Sequence, residues 1–268
     1  MPNNNITMDS REGTDLLASW QELIFPQRQF CALCQRPVSR RNKIKLCDRC
    51  LSQLNFVQEP FCQSCGRPLR LASVDGGKCS LCREHCFHFT QARAVAVYEG
   101  FWRECIHMIK YCRRHDLVEP LVGLMAQVLV QCWQGTELLL VPVPAAPARK
   151  ARRGYNQAEL LALELGRQLK LPVENGNLWL KEAKFMQSQL SSQSRAVNVR
   201  GAFAVHDPDA FVGKQVLLID DILTTGWTAS ECARVLLGCG ALRVDVLTLA
   251  VGAVQKAQLG LGKTTVRR

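Results

Sequence analysis

From residue 91 onward the chain alternates between two hydrophobic periods. "ARAVAVYEG" (92–100) is a nearly continuous apolar run of strand length, and "TELLLVPVP" (136–144), "KQVLLID" (214–220) and "RVDVLTLAV" (243–251) repeat it. Between them the apolar spacing widens to that of helices. Residues 102–133 read as two helices, with Pro120 tolerable near the start of the second. "GYNQAELLALELGRQLK" (154–170) sets Leu160, Leu161, Leu165 and Leu169 on one face, and "ASECARVLLGCG" (229–240) is a helix closed by Gly240. "PVENGNLWLK" (172–181) reads as a further strand. Strands of this kind alternating with helices predict an α/β fold: a mostly parallel sheet covered on both faces. Ligands of such sheets sit at the carboxyl ends of the strands.

The first ninety residues follow another pattern. Residues 1–13 are polar and read as a disordered leader, and "TDLLASWQELIFP" (14–26) suits a short amphipathic helix. Cysteine-rich segments then run to residue 90. The expected organisation is a leader (1–13), a cysteine module (14–90), an α/β domain (91–255) and a basic tail (256–268). No secretory leader is visible, and "ELLLVPVPAAPA" is too broken by proline to cross a bilayer. A cytoplasmic protein without membrane insertion is expected.

Composition adds a charge argument. Lys and Arg number 34 against 23 Asp and Glu, a surplus of 11, which favours a polyanionic partner such as single-stranded DNA. Seven of the basic residues lie between Arg28 and Cys50, where Asp48 is the one acid. Aromatic residues for base stacking are sparse there, with Phe30 and Phe56 the candidates.

Eight of the 14 cysteines form four C-x-x-C pairs: Cys31/Cys34, Cys47/Cys50, Cys62/Cys65 and Cys79/Cys82. Each such turn aims two thiolates at one ion, and two turns complete a tetrahedral zinc site. Sequential pairing gives one site from Cys31, Cys34, Cys47 and Cys50 and another from Cys62, Cys65, Cys79 and Cys82. A cross-braced arrangement is the alternative, and His85, Cys86 and His88 are near enough in sequence to substitute. Closed four-thiolate sites leave no position for substrate, so this Zn2+ is structural. The cysteines at 105, 112, 132, 232 and 239 fall in apolar patterns and read as small core residues.

The chemistry concentrates in "VLLIDDILTTGWT" (216–228). Two adjacent carboxylates, Asp220 and Asp221, end a buried strand, where they are costly unless they meet hydroxyls or a cation. The turn after them offers backbone N–H groups, the hydroxyls of Thr224, Thr225 and Thr228, and Gly226 at a sharp bend, before a helix N-terminus. Acids for sugar hydroxyls beside a seat for phosphate describe a receptor for a phosphorylated pentose.

This stretch resembles the phosphoribosyl diphosphate (PRPP) motif of type I phosphoribosyltransferases: an apolar run, two acids, two apolar residues and Thr-Thr-Gly-x-Thr. With the four cysteine pairs, "VPVPAAPARKARRGYNQAELLA" (141–162) and "QSQLSSQSRAVNVRGAF" (187–203) ahead of it, the chain resembles the ComF/GntX-like family over residues 23–251. The resemblance implies a phosphoribosyltransferase-like domain joined to a zinc-finger module, with a role in DNA uptake or DNA utilisation alongside other DNA-uptake proteins. It implies that Asp220 and Asp221 contact the ribose hydroxyls, directly or through Mg2+. Ile222, Leu223, Thr224, Thr225, Gly226, Trp227 and Thr228 would form the phosphate loop. Arg153 and Asn156, in a basic segment with Arg149, Lys150 and Arg152, would face the diphosphate, and Arg195 would close over it from a mobile loop spanning 184–200. No purine or pyrimidine pocket is legible, so two other readings stand beside this one. They are an active phosphoribosyltransferase on a nucleobase-like acceptor, and a zinc-ribbon nucleic-acid-binding protein with a vestigial pocket.

Overall fold

A computed structural model of the chain describes residues 29–39, 41–69, 75–181 and 199–253. The leader, the helix expected over 14–26, the basic tail and Arg195 lie outside the described residues. Four strands form the central sheet: β3 (Ala92–Val97), β4 (Leu138–Pro142), β7 (Gln215–Leu223) and β8 (Arg243–Val251). Their spatial order is β3-β8-β7-β4, and every neighbouring pair is parallel. The chain passes from one edge strand to the other and then fills the centre with β7 and β8.

The central strands are mostly apolar on both faces because both faces are covered, with Asp245 and Thr248 the buried polar exceptions in β8. Leu217, Ile219, Leu247 and Leu249 point to one side, and Val216, Leu218, Val244 and Val246 to the other, as the two-residue period of a strand requires. The first side packs against α4 (Val118–Trp133) through Leu121 and Met125, and against α6 (Gln157–Leu169) through Leu161 and Leu165. The second packs against α7 (Trp227–Gly238) through Cys232, Ala233 and Leu236. Between β3 and α4 lies α3 (Gly100–Tyr111), anchored by the fully buried Trp102.

Of the segment read as a further strand, the first part lies along the outer edge of β4, where Val173 bridges Leu140 in parallel: Leu140 N–H donates to the Pro172 carbonyl (3.0 Å) and Glu174 N–H to that of Leu140 (2.9 Å). The last part, Leu178–Leu180 (β5), pairs antiparallel with β6 (Phe203–Val205) as a separate two-stranded ribbon. Three apolar residues, Leu178, Trp179 and Leu180, carry no information about their partner, and here the partner stands far along the chain, at 203–205.

The cysteine segments are tied into the same interior. β1 (Gln29–Phe30) and β2 (Pro37–Val38) form a short hairpin, and the helical turns α1 (Asp48–Ser52) and α2 (Ser80–Glu84) follow. Cys31, Leu46 and Leu54 share one apolar cluster with Trp102 and Leu121. Asn55–Val57 runs along the outer edge of β3: Val57 N–H donates to the Val95 carbonyl (3.0 Å) and Val97 N–H to that of Asn55 (2.8 Å). An otherwise bare sheet edge is thereby paired. Gly66, at φ +69°, lies so close to β3 that a Cβ would stand 2.7 Å from the Ala92 carbonyl oxygen.

Two of the cysteines expected inside are not there. Cys112 and Cys132 are exposed, since both face outward from the last turns of their helices, whereas Cys105 and Cys232 are fully buried.

Candidate functional site

The four C-x-x-C turns combine sequentially. The sulfurs of Cys31, Cys34, Cys47 and Cys50 all lie within 4.8 Å of one another, and so do those of Cys62, Cys65, Cys79 and Cys82. Thiolates around a tetrahedral zinc at about 2.3 Å stand about 3.8 Å apart. The Cys34–Cys47 and Cys65–Cys79 separations of 3.5 and 3.6 Å meet that requirement. Both sets therefore fit Zn2+. His85 and His88 take no part: His85 packs edge-on to Trp227, and His88 N–H donates to Ser230 Oγ (3.0 Å).

At the carboxyl end of the sheet, β4 stops at Pro142, opposite Ile219, while β7 continues to Leu223. Asp220 to Leu223 thus have β8 on one side and an opening on the other. A cavity of about 220 Å3 occupies that opening. Asp220 Oδ1 accepts the N–H of Asp221 (2.8 Å). Burial, and then the neighbouring charge of Asp221, push the Asp220 carboxyl up to about 7. Asp221 instead meets a cation: its Oδ2 is 2.6 Å from Lys110 Nζ at the end of α3, with both side chains largely withdrawn from water.

Past the acids, Gly226 at φ +87° caps the start of α7. Only glycine suits that conformation readily. The Phe87 ring closes the space behind it, 3.3 Å from where a Cβ would sit. Thr224, Thr228 and Gly226 line the cavity at this helix start.

The opposite wall comes from the basic segment. α5 (Pro147–Arg153) opens on a proline and closes at Gly154 with φ +85°. Arg149 and Arg153 both reach the cavity. The Arg153 guanidinium lies 4.8 Å over the Tyr111 ring and donates to Tyr111 Oη (2.9 Å) and Gln157 Oε1 (2.8 Å). Two buried donors at this wall, Arg153 Nε and Gln157 Nε2, have no partner among the described residues. Buried polar groups are normally satisfied, so such donors mark where an acceptor belongs.

Residues 20–87 match the family described as a double zinc ribbon domain. The DNA utilization protein YhgH of Escherichia coli strain K12 is 29% identical over 224 residues, covering 82% of this chain and 96% of that protein. Competence protein F of Haemophilus influenzae is 28% identical over 217 residues, covering 76% and 90%. The chain is thus similar to ComF- and YhgH-type proteins over most of its length. Among solved structures, a glutamine PRPP amidotransferase from B. subtilis is 19% identical over 50% of this chain and 26% of that one, with a TM-score of 0.34. The architecture is the expected α/β one, a parallel four-stranded sheet flanked by helices, with the acid pair on a central strand and a helix-opening turn after it.

In this chain the cavity brings together Asp220, Asp221, Ile222, Leu223, Thr224, Gly226, Thr228, Arg153 and Asn156. Thr225 and Trp227 belong to the same turn but do not line the cavity, and Trp227 packs on Phe87 and His85. Asn156 is committed internally: its Oδ1 caps α6 at the Ala158 N–H (3.2 Å) and its Nδ2 donates to the Val143 carbonyl (3.0 Å). It holds the basic segment against the end of β4.

Sequence reasoning missed Lys110, Gln157, Leu180 and Phe203. Gln157 was within reach, standing beside Asn156 in the "RGYNQ" signature. Nothing around Lys110 in "HMIKYC" signals a site.

A divalent cation fits this site poorly. One oxygen of Asp221 already holds an ammonium at 2.6 Å, and no third carboxylate or imidazole joins the pair among the described residues.

Proposed function

We propose that this protein binds a phosphorylated pentose, PRPP or a related ribose phosphate, at the carboxyl end of its sheet, and that it serves in DNA uptake or DNA utilisation. The observation that carries the first part is the convergence, on one cavity, of an acid pair, a Thr/Gly turn at a helix start, and unpartnered buried donors of Arg153 and Gln157. In this reading the acids take the ribose hydroxyls and the turn takes the 5′-phosphate. Arg149 and Arg153 balance charge at the sugar's other end. The second part rests on the names of the two relatives, a DNA utilization protein and a competence protein.

Titration calorimetry with PRPP tests the pocket. Micromolar to millimolar binding is expected in the zinc-loaded protein, weakened by about tenfold or more when Asp220→Asn and Asp221→Asn are combined. No heat at saturating ligand refutes the reading. Steady pyrophosphate release with a nucleobase acceptor would extend it to a phosphoribosyltransferase.

A groove beside the cavity supports single-stranded DNA as a partner. It is lined by Lys110, Tyr111, Arg113, Arg152, Arg153 and Tyr155, with no carboxylate among them. DNA affinity that stays flat as salt rises would remove that support.

A further inference from the structure

Phosphate-handling sites commonly recruit a divalent cation to neutralise the ligand and grip a carboxylate. Here the place of that cation is already taken. Lys110 Nζ stands 2.6 Å from Asp221 Oδ2, and the two side chains are 16% and 14% exposed, so solvent screens the pair little. The lysine is held there by the site itself. Tyr155 Oη donates to the carbonyl of Ile109, on one side of Lys110, and Arg153 grips the hydroxyl and ring of Tyr111 on the other. The last turn of α3 is thus bolted to the basic segment, with its ammonium aimed across the cavity.

Arg149 and Arg153 add positive charge on the same wall, so the cations of the cavity outnumber its acids without any metal. A hydrated Mg2+, which loses its waters reluctantly, would have to displace a desolvated ion pair to reach Asp221. We infer that Lys110 is the built-in counter-ion of the acidic pair, and that this site takes its phosphorylated pentose without a divalent cation. This rests on the pentose reading above and adds a specificity: Lys110 orients Asp221 through Oδ2, leaving Oδ1 to accept a sugar hydroxyl. Arg149, Arg153 and the helix start carry the ligand's charge.

The test uses zinc-loaded full-length protein, metal-depleted buffer and ribose 5-phosphate as the probe, with calorimetry in the presence and absence of millimolar Mg2+. Wild-type affinity should change by less than about threefold on adding Mg2+. Lys110→Met should bind at least about tenfold more weakly without Mg2+ and recover with it, because the vacated Asp221 becomes an ion site, while Lys110→Arg should stay near wild type. A wild-type affinity that tightens more than about tenfold with Mg2+, or a Lys110→Met protein that binds like wild type in its absence, overturns the inference. A second arm needs no sugar. Mn2+, followed by its paramagnetic signal, should find no site at the acid pair in wild type and gain one in Lys110→Met. Mn2+ bound by wild type and lost in Asp221→Asn overturns the inference. If ribose 5-phosphate gives no heat in any arm, the pentose reading falls and the Mn2+ arm still decides the role of Lys110. Should Lys110→Met fail to fold, the wild-type arms decide alone.

Discussion

At the scale of single residues, the neighbouring acids behave as two different groups. Asp221 is paired with Lys110, whereas Asp220 has its carboxyl pushed up to about 7 by burial and by Asp221. In the unfolded chain an aspartate titrates near about 3.9. Between those two values the folded protein holds a proton that the unfolded chain has lost, so stability falls as pH rises through that window and the penalty is complete above it. Asp220→Asn removes the group. Relative to wild type, the variant should gain on the order of 2 kcal/mol between about pH 5 and pH 8, read from denaturation midpoints at each pH. A difference that stays constant across the range would show that Asp220 titrates normally. The sequence disclosed both acids and the glycine after them, because a charge at the end of a buried strand and a bend before a helix are local facts. It could not disclose Lys110, whose partner is far along the chain and is brought to it only by the sheet.

At the scale of elements, the turn that opens α7 does not stand alone. The segment leaving the second cysteine cluster lies against it: Phe87 stacks on Phe89 (5.1 Å), meets the Trp227 ring (5.2 Å) and closes the space behind Gly226. His88 N–H bonds Ser230 one turn into the helix. Trp227, a bulky residue in a loop expected to face phosphate, is therefore turned away from the cavity and used as the loop's anchor. Phe87→Ala should lower stability by about 1–2 kcal/mol and weaken ribose 5-phosphate binding severalfold, with the zinc content of the purified protein unchanged. Full affinity in that variant would mean the turn keeps its shape without the ring. Long apolar strands and the helix with leucines at 160, 161, 165 and 169 were legible because their period repeats many times. Leu178–Leu180 was read as extended but its partner was not, because three residues fit any sheet edge and β6 lies far along the chain.

At the scale of the molecule, the cysteine module and the sheet share their interior. Cys31, Leu46 and Leu54 belong to the cluster that holds Trp102, Leu121 and Met125, while Cys62, Cys65, Cys79 and Cys82 belong to the one that holds Val246, Cys232 and Leu236. Each four-thiolate set therefore backs one face of the same four-stranded sheet. Asn55–Val57 and the Ser64 carbonyl, which accepts the Ala92 N–H (2.7 Å), extend the backbone pairing along β3. A composition shift near residue 90 announced two kinds of structure, but spacing alone cannot say whether two kinds of structure share a core. Their shared packing has a measurable consequence. Metal binding supplies folding free energy to the segments that hold it, and here those segments cover the apolar sheet. Zinc release and loss of the buried tryptophan environment should follow one transition in denaturant, and removing one cluster with Cys65→Ser should move both signals together to lower denaturant. If the chelator-detected zinc leaves at a lower concentration than the one at which Trp102 and Trp133 become solvated, the ribbons open on their own. The phosphate turn anchored by Phe87 would then loosen before the sheet does.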